Sequence, residues 1–180
     1  MQQRKDLITI FDNLKISSLY GAHIFIDYSN IQSGANRYCD RFDVDKFLTL
    51  LDDLTSSQPH IKKIAVSSIP FEAEKFGYEV HKLPKLKRKE IFVDELLYAK
   101  IGDSILDYEK GLLIVVTGDG NLSNYGLGFS LQIVRAVQRN WTVRLLGWKR
   151  DISSIYKDIE QMYSNFSIFY LDSAKHKLST

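Results

Sequence analysis

The amino-acid sequence predicts an α/β fold in which helices cover both faces of a central, mostly parallel β-sheet. Two observations predict it. Short apolar runs alternate with segments of helical periodicity along the chain. One run, "LLIVV" at 112–116, is apolar at every position, as expected for a strand covered on both faces. A chain of 180 residues suits one domain with one sizeable core. We therefore expect a three-layer α/β/α sandwich.

Short apolar runs bounded by turn residues predict the strands. The first, "HIFID", precedes a polar segment, and proline ends the second run at Pro70 and the third at Pro84. Later runs include "WTVRLLGW" and "FSIFYL". The predicted strands span residues 23–27, 61–69, 77–83, 111–117, 141–148 and 166–171.

Apolar side chains that recur every three or four residues predict the helices. The segment that begins at Asp43 has this spacing at Val44, Phe47 and Leu51, and Asn140 is expected to cap the helix that ends beside it. The polar segment "YSNIQSGAN", residues 28–36, is expected to be a loop. The predicted helices span residues 7–20, 43–54, 91–107, 129–139 and 151–163.

The chain is expected to form one domain with two short extensions. Residues 1–20 carry apolar side chains at helical spacing, which predicts an amphipathic helix that packs on the domain or on a protein partner. Residues 21–172 are expected to form the α/β domain. Residues 173–180 are expected to be a frayed tail.

Composition narrows the functional classes. A net charge of +2 gives no global argument for nucleic-acid binding, so any such argument depends on local clusters. The single cysteine, Cys39, excludes a disulfide framework and a cysteine-rich zinc site. No apolar run approaches the roughly 18 residues of a membrane span, and the N-terminal segment has no apolar signal core. We therefore expect an intracellular protein, cytoplasmic or nuclear, without membrane association.

Two predicted strands lead to a carboxylate. "HIFID" ends at Asp27, and "GLLIVVT" reaches Asp119 through one glycine. Each acid alone is compatible with a turn, because Asp caps turns through its side chain and Asp-Gly is common in type I′ turns. If the two strands are neighbours in a parallel sheet, both acids lie at one edge of it. A divalent cation would then relieve their repulsion.

A third acid lies on the apolar face of a predicted helix. At about 100° per residue, Asp94 shares a face with Leu97, Ile101 and Ile105. A carboxylate there is costly unless something compensates its charge. The helix N-terminus and a metal ion could both do so, and the residues alone leave both interpretations open. Glu95, one step round the helix, could serve instead or as well.

Amide and hydroxyl side chains accompany these acids. Ser29 and Asn30 follow Asp27, and Asn121 follows Asp119. An amide can ligate a hard metal ion or orient its water. Because the set is rich in oxygen and lacks paired His or Cys, it favours Mg²⁺ or Mn²⁺ over Zn²⁺. Such a site suits phosphate chemistry.

A basic segment, "HKLPKLKRKE" at 81–90, leads into the helix that carries Asp94. A basic loop beside an acid cluster could hold a polynucleotide backbone. The alternatives are a solvated loop or a targeting patch. Lys149 and Arg150 could extend the same path. The candidate RNA-binding residues of the segment are Lys82, Lys85, Lys87, Arg88 and Lys89.

Three common enzyme motifs are missing from the sequence. No G-x-G-x-x-G opens a helix, which disfavours a dinucleotide site. No G-x-x-x-x-G-K-[ST] is present, which excludes a P-loop, and no G-x-S-x-G elbow is present.

Taken together, "FIDYSNI", "VDELL" and "GLLIVVTGDGN", the last followed by "FSLQIVRAVQRNWTVRLLGW", resemble the NYN branch of the PIN-like nucleases, especially its fungal members. The resemblance covers roughly residues 22–163. Three motifs in this order carry it: an Asp-x-x-Asn after the first strand, a Val-Asp-Glu that opens a helix, and a Gly-Asp after a later strand.

The resemblance implies a PIN-like three-layer fold and hydrolysis of RNA phosphodiester bonds with Mg²⁺ or Mn²⁺. Asp27, Asp94 and Asp119 would be the catalytic, metal-binding acids, and Asn30 matches the polar residue that follows the first acid. Many members of the family read Gly-Asp-x-Asp, where this chain has Asn121. The site therefore holds fewer charges, and a weaker metal affinity is expected.

The main hypothesis is a metal-dependent endoribonuclease that acts on single-stranded RNA, with Ser29, Asn30, Glu95 and Asn121 in supporting roles. The first rival is a catalytically weak or inactive NYN fold that binds RNA or a protein, which Asn121 motivates. The second rival is a Mg²⁺-dependent phosphatase or phosphotransferase of small molecules. Such enzymes usually carry a second acid two residues after a nucleophile on the first strand, and this chain has Ser29 there.

Overall fold

A computed structural model of the chain describes residues 21–86, 89–90, 92–118 and 128–179. The helix predicted within residues 1–20 lies outside these ranges. In the described residues, helices flank a central parallel sheet, and the predicted α/β fold class is confirmed. No helix of this part of the chain has the length and apolar character that crossing a membrane requires.

Six parallel strands form the central sheet of the described residues, in the order β3-β2-β1-β6-β7-β8. A separate two-stranded antiparallel hairpin, β4 and β5, follows β3 along the chain. The strands are β1 (Ala22–Asp27), β2 (His60–Ser67), β3 (Glu79–Lys82), β4 (Lys85–Leu86), β5 (Lys89–Glu90), β6 (Leu112–Val116), β7 (Thr142–Gly147) and β8 (Phe166–Tyr170).

Helices cover both faces of this sheet. They are α1 (Tyr28–Tyr38), α2 (Val44–Leu54), α3 (Val93–Asp107), α4 (Phe129–Gln138), α5 (Ser154–Met162) and α6 (Lys175–Leu178), with short 3-10 turns at Glu74–Phe76 and Leu171–Ala174.

Alternate residues of each central strand point to opposite faces, so the sheet has two apolar cores. In β1, Ile24 and Ile26 belong to the core that α1 and α2 cover. Phe25 lies between them and belongs to the core under α3, α4 and α5. The three-layer sandwich follows from this division.

The strand order reverses between β1 and β6, the two central strands. All six strands are parallel, so their carboxyl ends lie at one edge of the sheet. In open parallel sheets, ligands bind beyond the carboxyl ends of the strands at such a reversal. The fold therefore directs attention to the residues that follow Ile26 and Val116.

Residues 28–36 form a helix, so the prediction of a loop there is wrong. The side chain of Asp27 caps α1 by accepting the N–H of Asn30 at 3.0 Å. Ile31 and Ala35 are buried on the inner face of the helix. Ser, Asn and Gly have low helix propensity, so burial and the cap stabilise a helix that local sequence does not indicate.

The C-terminal segment predicted to be a frayed tail is ordered through Ser179. Leu178 is fully buried, and its carbonyl accepts the N–H of Asp43 at 2.8 Å. The backbone carbonyl of Ser179 accepts a hydrogen bond from the Lys46 ammonium at 2.7 Å. The polar composition of this segment conceals two apolar residues, Ala174 and Leu178, which pack into the core beneath α1 and α2.

The Leu178 anchor leads to a stability prediction. Leu178→Ala removes a fully buried side chain and is expected to lower the free energy of unfolding by about 2–4 kcal/mol. Urea denaturation followed by circular dichroism measures this change. Lys177→Ala, an exposed neighbour on the same short helix, is the matched control and is expected to change stability by less than about 0.5 kcal/mol. Equal effects of the two substitutions would show that the tail does not pack as described.

His23 is a buried titratable group of β1, at the amino edge of the sheet. Its Nδ1 lies 3.2 Å from the Ser104 hydroxyl, and its ring meets those of Tyr108 and Trp141 edge to face. Burial, with a smaller contribution from Lys62, lowers the pKa of His23 from 6.5 to about 4. The imidazole is therefore neutral in the folded protein near pH 7.

The lowered pKa of His23 predicts a loss of stability on acidification. The unfolded chain takes up a proton near pH 6.5 and the folded chain only near pH 4. The stability that the neutral imidazole contributes is therefore fully present above pH 6.5. It declines by up to about 3 kcal/mol as the pH falls from 6.5 to about 4. His23→Gln cannot titrate, so its unfolding free energy should depend less on pH than that of the wild type. Parallel pH profiles of the two proteins between pH 7 and pH 4 would contradict this prediction.

Candidate functional site

Asp27 and Thr117 lie side by side at the carboxyl edge of the sheet. The parallel pairing of β1 with β6 sets Ile26 against Val116, and the next residue of each strand continues to the edge. The Thr117 hydroxyl lies 3.4 Å from the Asp27 Oδ2, which it faces as a donor. The two strands that lead to candidate acids are therefore neighbours, as their convergence requires.

The Asp27 carboxylate is only 3% exposed. Its Oδ1 accepts the N–H of Asn30, and the N-terminus of α1 favours a negative charge at this position. A buried carboxylate is costly without such compensation. Helix capping therefore accounts in part for a carboxylate at this buried position.

Asn30 connects the first helix to the chain that follows β6. Its side-chain oxygen accepts the backbone N–H of Gly118 at 3.0 Å. This contact therefore fixes the backbone at the last described residue before Asp119. Asn30 thus clamps the backbone after β6, and its predicted role in placing ligands stays a prediction.

Ser29 performs a similar task toward β2. Its hydroxyl accepts the backbone N–H of Ser68 at 2.9 Å and lies 3.1 Å from the Ser68 hydroxyl. The side chain is 7% exposed. Ser29 therefore holds the end of β2 against α1, and this contact accounts for a polar residue at a buried position.

Asp94 and Glu95 lie in the first turn of α3, and both side chains are half-buried. Leu97 and Ile101, on the predicted inward stripe, are buried. Asp94 thus lies at the margin of that stripe. Because α3 runs back from the carboxyl edge toward the start of β6, its first turn lies at the same edge of the sheet as Asp27.

Asp119 and Asn121, the remaining predicted members of the site, lie outside the described residues. Within the described ranges, no three His, Cys, Asp or Glu side chains are grouped closely enough to hold a metal ion. The structure therefore brings Asp27, Asn30 and Thr117 together and places Asp94 and Glu95 at the same edge.

The donor set at this edge is rich in oxygen. Its members are carboxylate, hydroxyl and amide oxygens, which Mg²⁺ and Mn²⁺ prefer, and the buried Asp27 carboxylate gives the set an anionic centre. Asp27, Asp94 and Asp119 remain the residues that would hold the ion, with Glu95 as a further carboxylate.

The predicted basic loop includes a short hairpin. β4 and β5 pair antiparallel, with Lys85 opposite Glu90 and Leu86 opposite Lys89, and Lys87 and Arg88 between them lie outside the described residues. Lys82 ends β3 at the carboxyl edge of the sheet. Both Lys82 and Lys85 are exposed, and the Lys82 ammonium lies 4.0 Å from Glu74.

Asp151 is a residue of this edge that sequence reasoning did not single out. It follows β7, and its side chain, 15% exposed, accepts hydrogen bonds from Arg37 at 2.7 Å and from the Tyr38 hydroxyl at 3.0 Å. A Cβ atom added to Gly118 would lie 2.9 Å from the Cβ of Asp151. Asp151 follows an apolar strand as Asp27 and Asp119 do, but the helical spacing of the apolar residues after it predicts that a helix begins at this residue.

Two substitutions of Asp27 separate its structural and its proposed catalytic role. Asp27→Asn keeps an oxygen that can cap α1, so its unfolding free energy should stay within about 0.5 kcal/mol of the wild type. Asp27→Ala removes the cap and should cost about 1–2 kcal/mol. Thermal and urea denaturation without added metal measure both values. If Asp27→Asn destabilises as much as Asp27→Ala, the charge itself, and not the cap, stabilises this edge.

Comparisons with protein-family models, with curated proteins and with solved structures found no significant match to this chain. The residues at the carboxyl edge, and the sequence motifs that lead to them, are therefore the features that bear on function.

Proposed function

We propose that this protein is a Mg²⁺- or Mn²⁺-dependent endoribonuclease of the NYN/PIN-like type, which hydrolyses phosphodiester bonds in single-stranded RNA. The observation that carries the proposal is the buried Asp27 carboxylate at the reversal of strand order. It lies beside Thr117 and Gly118, which lead directly to Asp119.

In this proposal the acids of the edge hold the reaction centre. Asp27 is fixed by the α1 backbone, so its carboxylate does not have to be ordered when a ligand binds. Asn30 fixes the backbone at Gly118, and Asp119 is the next residue in the sequence. Asp94 and Glu95 would approach from the first turn of α3. When bound, Mg²⁺ or Mn²⁺ would activate water and neutralise charge on the phosphoryl oxygens.

The basic segment supplies the approach path for the substrate. Lys82 and Lys85 are exposed where β3 ends and the hairpin begins, at the same edge as Asp27. Lysines there can hold RNA phosphates without reading the bases. Lys87, Arg88 and Lys89 belong to the same segment and would add to this charge.

The proposal predicts loss of cleavage in two acid variants. An end-labelled single-stranded RNA is incubated with Mn²⁺, and the products are resolved on a denaturing gel. Asp27→Asn and Asp119→Asn should each lower the cleavage rate by roughly 100-fold, since each removes a metal-binding carboxylate. Asp107→Asn removes an exposed carboxylate near the amino edge and should leave the rate within about twofold.

Other outcomes of this experiment identify the rivals. Cleavage that survives in both acid variants would exclude the proposed site. If Mn²⁺ does not bind at millimolar concentration in calorimetry while RNA still binds, the protein is an RNA-binding module with an inactive NYN-like fold. Turnover of a generic aryl phosphate without cleavage of RNA would instead indicate a small-molecule phosphatase.

A further inference from the structure

A second cluster of basic and aromatic side chains lies at the carboxyl edge of the sheet. Asp27 separates it from the hairpin of β4 and β5. Arg37 and Tyr38 end α1, and Arg150 and Asp151 belong to the loop after β7. Their contacts define a compact group, the β7-side cluster, that consists of these four residues.

The Tyr38 ring is the centre of the β7-side cluster. The guanidinium carbon of Arg37 lies 5.4 Å from the ring centroid, and that of Arg150 lies 6.0 Å from it. Both distances are within the range of cation–π attraction. The ring also packs 6.1 Å from the ring of Trp148, which is fully buried and donates its indole N–H to the Ile31 carbonyl at 2.9 Å. Tyr38 is therefore supported from inside the protein, and it holds two arginines at the surface.

Asp151 fixes the orientation of this group. Its Oδ2 accepts from the Arg37 guanidinium, and its Oδ1 accepts from the Tyr38 hydroxyl. The Asp151 side chain is 15% exposed, whereas the Arg37 side chain is 53% exposed. A guanidinium has five N–H donors, so the bond to Asp151 leaves Arg37 able to bind an anion from solvent.

Two glycines allow the β7-side cluster to lie close to α1 and to the end of β6. A Cβ on Gly34 would lie 2.7 Å from the Asp151 Oδ2, and a Cβ on Gly118 would lie 3.1 Å from the Asp151 backbone carbonyl. The Gly118 carbonyl also accepts the N–H of Ser153 at 3.2 Å. Gly118 therefore contacts Asn30 on one side and the cluster on the other.

Basic groups thus lie on both sides of the acids. Along the carboxyl edge, β3 with Lys82 comes first, then β2, then β1 with Asp27, then β6, then β7 with the cluster. Four strand spacings separate β3 from β7, which is roughly 19 Å. An RNA strand that crosses the sheet edge from the hairpin to the cluster would pass over Asp27.

We propose that Arg37 and Arg150 form a second phosphate-binding subsite for single-stranded RNA, and that Tyr38 and Asp151 position these two arginines. This inference deepens the proposed function and rests on it for the identity of the ligand. Arginine suits the task because its planar fork of donors matches a phosphate.

The test measures binding separately from cleavage. Fluorescence anisotropy with a labelled single-stranded RNA in EDTA reports affinity while divalent metal is absent. Arg37→Gln and Arg150→Gln should each weaken binding by roughly three- to tenfold, and each should reduce the slope of log affinity against log salt by about 0.7. Lys110→Gln removes one exposed charge at the amino edge and is the matched control, for which the affinity should change by less than about twofold.

Asp151→Asn distinguishes positioning from simple charge. If Asp151 only neutralises a neighbouring arginine, the substitution removes a negative charge and RNA binds more tightly. If Asp151 orients Arg37 and Tyr38, binding weakens although the protein becomes more positive. We expect weaker binding by roughly threefold, with the salt slope reduced as in Arg37→Gln. Tighter binding would overturn the positioning role, and thermal denaturation checks that each variant is folded.

The outcomes separate this inference from the proposed function. If the wild type cleaves RNA and the three cluster variants bind it as the wild type does, the subsite is excluded and the nuclease proposal stands. If the wild type neither binds nor cleaves RNA, the nuclease proposal fails, and the subsite fails with it. Weakened binding in the arginine variants, beyond that of Lys110→Gln, supports the subsite whether or not cleavage is detected.

Discussion

The Asp27 carboxylate is the group on which the geometry of the carboxyl edge depends. One of its oxygens starts α1, and the other faces the Thr117 hydroxyl of the neighbouring strand. A nearly buried carboxylate is tolerated only where donors and positive potential surround it. The helix N-terminus and the hydroxyl supply part of that compensation, and in the proposed function a divalent cation supplies more. The same contacts that stabilise the fold therefore prepare an anionic site.

From Asp27, a continuous set of contacts extends across the carboxyl edge to β7. Asn30 binds the Gly118 backbone, Gly118 lies against Asp151, and Asp151 holds Arg37. A side chain at position 118 would separate these loops, so the glycine after β6 is required by packing, independently of any ligand. Carboxylates lie near the centre of this edge and basic groups on both sides, a distribution that the proposed function would use to hold a polyanion beside a metal ion.

The sequence was informative where one physical factor dominated a segment. β6 is apolar at every position because both of its faces are covered, and this pattern predicts a central strand. Asn140 adopts a left-handed backbone with φ of 62° just after α4, as its predicted capping role implies.

Prediction from the sequence failed where tertiary contacts outweighed the local preference of the residues. α1 contains Ser, Gly and Asn and is stabilised by the Asp27 cap and by burial. The C-terminal turn is stabilised by the buried side chains of Ala174 and Leu178.

By itself, the sequence determined the fold class, the six strands of the central sheet and the candidate acids, because apolar periodicity and strand-end carboxylates are local signals. Only the tertiary structure decided which strands are neighbours, since pairing between distant segments depends on the packing of the whole sheet. It also decided that Asn30 clamps Gly118 and that Asp151 organises Arg37 and Tyr38. Those contacts join residues up to 114 positions apart in the chain, a separation at which no spacing rule applies. The chemistry of the residues was therefore visible in the sequence, whereas their association required the fold.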